Sequence, residues 1–132
     1  MRKINVINKS RNSNSIIDLP KDKSDISRMY AIVPNTKVEI PIMACDKDYN
    51  IHLINADEKQ TALIEDSTVI CFQESVTGAE DSIEGIFDID LLEIVRDRLN
   101  TFQKGEYSCN EVGLALIHIE EALFFLGRSG IF

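Results

Sequence analysis

Arginines and aromatic residues in the C-terminal half are the side chains of this sequence best suited to bind a small phosphorylated ligand. A guanidinium group can fork two hydrogen bonds to one phosphate, and an aromatic ring can stack on a nucleotide base. The three arginines after residue 28 are Arg96, Arg98 and Arg128, and the aromatic candidates are Phe72, Phe87 and Tyr107. This combination predicts a binding site for an anionic nucleotide.

Two interpretations of these arginines remain open. Arg128 is expected at the open end of a helical hairpin, close to Phe87 and to the positive start of the first helix, which favours a phosphate ligand. Arg98 is also a ligand candidate, and it equally fits a structural arginine that bridges subunits. The structural alternative is an ion pair of Arg128 with Asp88 or Asp90, and spacing alone favours that alternative.

His52 and His118 are the two histidines, and neither lies in a recognisable catalytic motif. The chain has no phosphate-binding glycine loop, nucleophile elbow or zinc-protease motif, so the sequence predicts a protein that is not an enzyme and needs no cofactor. His118 precedes Glu121 by one helical turn, where a histidine–carboxylate pair at an interface is favoured over acid–base catalysis. The predicted interface residues are His118, Glu121, Phe124 and Phe125.

Neither the cysteines nor the acidic pairs predict a metal site. Cys45, Cys71 and Cys109 are far apart and odd in number, which indicates free thiols rather than a disulfide framework. Acidic pairs such as Glu65 with Asp66 lack the spacing of a calcium-binding loop. They are typical of solvated turns.

The net charge of −8 is unevenly distributed along the 132 residues. Residues 1–28 carry seven basic and three acidic side chains, a net +4, whereas the rest carries seven basic and nineteen acidic side chains, a net −12. An acidic body of this kind repels duplex DNA. No apolar run is long enough to span a bilayer, and the first residues do not resemble a secretory signal. We therefore expect a cytoplasmic protein that binds neither DNA nor membrane.

The elements that must position these residues fall into two parts, which together predict an α+β fold. Residues 1–28 form a basic, polar arm with short apolar islands, expected to be an edge hairpin or partly mobile. Short β-branched or aromatic runs separated by polar turns then predict an antiparallel sheet. The predicted strands are residues 30–33, 37–42, 51–54, 61–64 and 68–72, followed by a polar linker over 74–85.

A helical period begins after the linker. Apolar residues at spacings of three and four predict a helix over 89–103, closed by Lys104 and a left-handed Gly105. The sequence thus divides into an antiparallel β domain, residues 1–87, and a helical hairpin, residues 88–132, that we expect to assemble the protein and bind its ligand.

The second helix is unusually apolar. It is predicted to start at a capping box of Ser108 and Glu111 and to end at Gly127. Apolar residues lie on more than one of its faces, and His118 and three glutamates are nearly the only polar side chains within it. A helix that is apolar on several sides is buried on several sides, which predicts self-association.

The hairpin resembles the C-terminal hairpin of a family of small phage proteins, the anti-Thoeris and anti-CBASS signal sponges. The resemblance spans residues 88–126 and agrees in the order and spacing of the turn, the helix start and the second helix. The matching positions are the DLL run at 90–92, Val95, the DRL run at 97–99, Phe102, Gln103, Gly105, the YSC run at 107–109, the IEEAL run at 119–123, Phe125 and Leu126.

The resemblance implies a homo-oligomer, often a hexamer, that holds cyclic nucleotide messengers of bacterial immune systems without cleaving them, inside the infected host cell. A sheet ahead of the hairpin is similar to the anti-Thoeris subgroup, whose ligands are a glyco-cyclic isomer of ADP-ribose and also cyclic oligonucleotides. Family members commonly continue with a basic run after the last leucine, whereas here Arg128 alone stands in its place. The alternatives are a small oligomeric structural or regulatory protein whose hairpin serves assembly alone, and a nucleotide hydrolase with an unrecognised site.

Overall fold

The chain forms two units, Met1–Cys71 and Phe72–Phe132, each with its own internal contacts. The structure, a computed structural model, describes residues 1–8, 13–22, 28–73 and 85–131. In chain order its elements are β1 (Arg2–Lys3), β2 (Ser15–Asp18), β3 (Met29–Val33), β4 (Ile42–Cys45), β5 (Ile51–Ile54), α1 (Glu58–Glu65), β6 (Thr68–Cys71), α2 (Asp88–Gln103) and α3 (Asn110–Arg128). An antiparallel sheet in the first unit and a helical pair in the second confirm the predicted α+β fold.

The four-stranded sheet of the first unit has the order β1-β2-β3-β6, and every neighbouring pair is antiparallel. In the interior strand β3, Tyr30 pairs with Asp18 on one side and with Ile70 on the other. β1 pairs with β2 at the edge, so the described part of the N-terminal arm forms an edge hairpin. Arg2 reinforces this edge by donating a hydrogen bond from Nη2 to Asp18 Oδ2 at 3.0 Å.

The core lies in the first unit and follows the two-residue period of its strands. In β3, Met29, Ala31 and Val33 are at most 1% exposed, and the residues between them are half-buried. Successive strand residues point to opposite faces, so this alternation marks the face that the core covers. Among the described residues, the other buried apolar side chains are Ile17, Leu19, Met43, Cys45, Tyr49 and Leu63.

The turn between β4 and β5 is held by the carboxylate of Asp46. Its Oδ1 accepts hydrogen bonds from two backbone N–H groups of the turn at 2.9 and 3.0 Å, and its Oδ2 lies 2.8 Å from His52 Nε2. These hydrogen bonds, that of His52 foremost, lower the pKa of Asp46 from 3.8 to about 2. The turn holds Tyr49 in the left-handed region with a φ of 62°, and the buried Tyr49 ring lies 4.2 Å from the Arg28 guanidinium.

Residues 61–64 are helical, so the strand predicted there is wrong. Asp57 Oδ1 accepts a hydrogen bond from the Gln60 backbone at 2.8 Å, and Gln60 Oε1 accepts one from the Asp57 backbone at 3.1 Å. This reciprocal capping box starts α1 and satisfies two N–H groups that a helix start leaves unpaired. Leu63 then turns into the core.

The strand predicted over 37–42 is also wrong in most of its length. Pro41 has no N–H to give to a ladder, and β4 begins only at Ile42 and continues to Cys45. The other three predictions hold to within one residue at each end, because β3, β5 and β6 occupy 29–33, 51–54 and 68–71.

The start of α3 differs from the prediction. Cys109, not Ser108, is the N-cap, and no side chain caps the helix, so the predicted capping box of Ser108 and Glu111 is wrong. The competing partner is Gln103 at the end of α2, whose Oε1 accepts a hydrogen bond from the Cys109 N–H at 3.3 Å. This hydrogen bond therefore links the end of the connection between the helices to the last residue of α2.

The end of each helix also departs from the expected glycine caps. Gly127 lies inside α3, which continues to Arg128, and the C-cap residue Ser129 donates hydrogen bonds from its backbone N–H and its hydroxyl to the Leu126 carbonyl. The described glycine with a left-handed backbone is Gly130, at a φ of 76°, rather than Gly105. Most of the predicted linker lies outside the described residues. Within the described ranges, no helix is both long and apolar enough to cross a membrane.

Candidate functional site

The register of α2 against α3 sets the position of each candidate arginine in the hairpin. Arg96 Nε lies 3.7 Å from Glu120 Oε2, and a Cβ added to Gly113 would lie 3.0 Å from Gln103 Nε2. These two cross-helix contacts are seven residues apart on each helix, in opposite directions, so the pairing is antiparallel. Continued for eight more residues, the same register brings Arg128 level with the start of α2.

α3 presents two apolar faces. The half-buried apolar residues recur at spacings of four and three, as on a face packed against a neighbouring helix: Val112, Leu116, Ile119, Leu123 and Leu126. The second face is open, since its four large apolar side chains are between 53 and 64% exposed: Leu114, Ile117, Phe124 and Phe125. α2 and α3 lie wholly within the described residues, and neither has a buried side chain. The hairpin thus leaves much apolar surface uncovered.

A shallow depression of about 430 Å³ lies on the open face of α3, lined by Ile117, Glu120, Glu121, Phe124 and Phe125. The two phenylalanine rings meet edge to face with centroids 5.6 Å apart, and the Arg128 guanidinium lies 5.5 Å from the Phe124 centroid. His118 Nδ1 lies 3.7 Å from Glu121 Oε2. The four residues that the sequence marks as interface candidates are therefore neighbours on one helix face.

A second arginine–aromatic cluster lies at the closed end of the hairpin. The Arg98 guanidinium lies 5.3 Å from the Phe102 centroid, and Phe102 meets Tyr107 edge to face with centroids 5.9 Å apart. Tyr107 is 66% exposed, and the nearby Ile94 is 57% exposed. A cation over an aromatic face is mutually stabilising, and here both groups remain accessible. This cluster offers a charge and a stacking surface side by side.

Phe72 and Phe87 lie near the start of α2, at the open end of the hairpin. Phe72 forms a parallel bridge with Ile86, and the backbone N–H of Phe87 donates to Asp90 Oδ2 at 2.8 Å. Both phenylalanines are half-buried. They therefore lie at the Arg128 end of the hairpin rather than at the Arg98 end.

Sequence reasoning missed Phe102, Ile117 and Glu120 as site residues. Helical spacing contains the signal, because residues three and four apart share a helix face. Phe102 follows Arg98 by four residues, and Arg128 follows Phe124 by four. The sequence-based expectation pairs Arg128 with Phe87, which lies on another element.

The two clusters differ in the charge that surrounds their arginines. Glu120 and Glu121 border the depression beside Arg128, and their carboxylates repel a phosphate. The residues three and four positions from Arg98 along α2 are uncharged (Ile94, Val95, Thr101 and Phe102), and so are those at the same distances from Arg128 (Phe124, Phe125 and Ile131). The glutamates therefore disfavour an anionic ligand within the depression, whose lining does not include Arg98.

The helical pair belongs to a recognised class of hairpin. Residues 68–129, which include β6, α2 and α3, match the family described as the Acb2/Tad1 hairpin domain. The second half of the chain is therefore similar to the proteins that carry this hairpin, and the resemblance noted over residues 88–126 is confirmed. Among particular relatives, the chain is 28% identical over 109 residues to Thoeris anti-defense 1 of Bacillus phage SBSphiJ7, an alignment that covers 79% of this chain and 75% of that protein.

Proposed function

We propose that this protein is a phage-encoded sponge that binds cyclic nucleotide messengers of bacterial immunity and holds them without cleavage. The proposed ligands are a glyco-cyclic isomer of ADP-ribose and cyclic oligonucleotides, whose removal inhibits Thoeris-type defence in the cytoplasm of the infected host. The observation that carries the proposal is the match of residues 68–129 to the Acb2/Tad1 hairpin domain. The similarity to Thoeris anti-defense 1 along most of the chain supports it.

Sequestration is compatible with the absence of recognisable catalytic motifs from the sequence. A sponge acts by differential affinity alone, because it removes free messenger in proportion to the number of binding sites present. It needs groups that recognise phosphate and base, and it needs no nucleophile or general base. The arginine–aromatic clusters of the hairpin supply groups that can recognise phosphate and base.

Arg98, Phe102 and Tyr107 form the proposed ligand-binding cluster. The guanidinium of Arg98 binds a phosphate, and the exposed Tyr107 ring stacks on a base. Arg96 acts as a structural neighbour in this proposal, since it bridges α2 to α3 through Glu120. The competing site is the open end of the hairpin, with Arg128, Phe87 and Phe72 as its ligand contacts.

The protein is also proposed to act as a homo-oligomer, with six copies as the family resemblance implies. The exposed apolar face of α3 supports self-association, because contiguous apolar surface on a soluble domain marks an interface. The same face favours the second candidate function, a structural or regulatory protein whose hairpin serves assembly alone. Ligand binding separates the two candidates.

The proposal is tested by incubating the protein with the glyco-cyclic ADP-ribose isomer and removing the protein by filtration. We expect the free messenger to be depleted, and to reappear intact when the retained protein is heat-denatured. Linear ADP-ribose or nucleotide fragments in the released fraction would identify a hydrolase. If the concentration of free messenger does not fall, and cyclic oligonucleotides give the same result, the sponge proposal is wrong. The remaining candidate is then the structural or regulatory protein whose hairpin serves assembly alone.

A further inference from the structure

The open face of α3 carries a continuous stripe with charges at defined positions. Leu114, Ile117, Glu121, Phe124 and Arg128 recur at spacings of three and four, so they lie along one side of the helix. All five lie on the solvent-exposed side. Such spacing is typical of a seam between two helices.

Glu121 and Arg128 cannot pair with each other within one chain. They are seven residues apart, which separates their Cα atoms by about 10.5 Å along a helix. Glu121 instead lies 3.7 Å from the exposed His118, and Arg128 lies over the Phe124 ring. Two opposite charges two turns apart on an apolar stripe are placed to pair across an interface between two helices.

We propose that α3 packs antiparallel against α3 of a second copy about a two-fold axis between Phe124 and Phe125. This inference deepens the self-association proposed above and is independent of any ligand. The midpoint between positions 121 and 128 falls between these two phenylalanines, so one axis satisfies both charges at once. Arg128 of each copy then faces the partner's Glu121, and the aromatic rings fill the centre.

Charge selects this register among the symmetric alternatives. An axis at Glu121 would bring two glutamates together, and like charges placed directly opposite each other disfavour association. An axis near Ile117 would instead leave Phe124 and Phe125 at the ends of the contact, facing the polar start of α3. The proposed register has an apolar centre and a charged rim, as specific protein interfaces do. It also places the 46% exposed Ile131 opposite the partner's His118.

Charge reversal tests the register in the full-length protein. Arg128→Glu and Glu121→Arg are each expected to weaken self-association at least about tenfold in sedimentation velocity, because each creates two like-charge contacts. Mixing the two variants in equal amounts is expected to restore association, since each mixed pair regains both opposite-charge contacts. The double variant is expected to associate as well. Glu93→Arg and Lys104→Glu, exposed positions on or beside α2 and away from the stripe, are the matched controls and should associate like the parent protein.

The possible failures are distinguishable. A monomeric parent protein would overturn the self-association itself, whatever the ligand assay shows. A parent oligomer whose single variants associate normally, or whose mixture stays dissociated although circular dichroism shows folded helices, would overturn this register alone. Messenger depletion is measured separately, so the sponge proposal stands or falls on its own result.

Discussion

At the scale of single residues, the ligand-binding proposal depends on the surroundings of two arginines. Arg98 and Arg128 each lie over a phenylalanine four positions away, at 5.3 and 5.5 Å from the ring centroids. The carboxylates of Glu120 and Glu121 line the depression next to the second cluster, where they disfavour a phosphate. The proposal therefore places the phosphate at Arg98 and gives Arg128 an interface role.

Replacing Arg98 is expected to weaken messenger binding without dispersing the oligomer. Arg98→Ala removes a charge-assisted contact to phosphate, so calorimetry should show an affinity at least about tenfold lower, or ~1.4 kcal/mol. Arg98→Lys keeps the positive charge but loses the two-pronged hydrogen bonding of the guanidinium, so its affinity should lie between that of the alanine variant and that of the parent protein. The expected geometry of the hairpin's open end favours the reverse assignment, with Arg128 at the ligand and Arg98 in assembly. Unchanged affinity in Arg98→Ala with a tenfold loss in Arg128→Ala would establish that reverse assignment.

Asp46 predicts a pH dependence of stability in the acidic range. Its folded-state pKa of about 2 lies below the ordinary 3.8, so its contribution is complete above pH 3.8 and is lost as the pH falls through about 2. Asp46→Asn should therefore lower the free energy of unfolding at neutral pH, and its difference from the parent protein should shrink across that window. Urea unfolding at a series of pH values measures the difference. A difference that stays constant down to pH 2 would contradict the role of the carboxylate.

At the scale of elements, hydrophobic periodicity predicted most strands and both long helices, whereas the cap of α1 was missed and the cap of α3 was predicted wrongly. The alternation of β3 and the three-and-four spacing of α2 and α3 were sufficient to predict the sheet and the helical hairpin. α1 was missed because its short apolar run is as compatible with a strand as with a helix, and Asp57 with Gln60 decides between them. At Ser108 the sequence predicted a capping box that does not form. The N-cap is instead Cys109, whose backbone N–H donates a hydrogen bond to the Gln103 side chain at the end of α2.

The capping box of α1 makes a prediction about stability. Asp57→Ala removes the acceptor for the Gln60 backbone N–H, so the free energy of unfolding should fall by about 1 kcal/mol. Asp66→Ala is the matched control at the other end of α1, where a negative charge opposes the helix dipole and its loss should be neutral or slightly stabilising. Equal destabilisation by both variants in chemical denaturation would argue against the cap.

At the scale of the whole molecule, the distribution of charge and apolar surface agrees with a sequestering oligomer. The part of the chain after residue 28 carries a net charge of −12, so long-range attraction does not deliver an anionic messenger, and affinity must come from short-range contacts. The composition and hairpin pattern were enough to predict the fold class and the resemblance to the hairpin family. The spacing of four residues between each arginine and its ring is present in the sequence, whereas the helix face that remains open was visible in the structure alone.

The central claim, binding without turnover, is tested most directly by titrating the protein into a fixed amount of the glyco-cyclic ADP-ribose isomer and following the free messenger over time. A sponge predicts that free messenger falls in proportion to added protein, reaches its end at a fixed ratio and then stays constant, with all messenger recovered intact after denaturation. Complete loss of messenger at substoichiometric protein, with linear products that increase with time, would contradict the account, as would undiminished free messenger at every ratio.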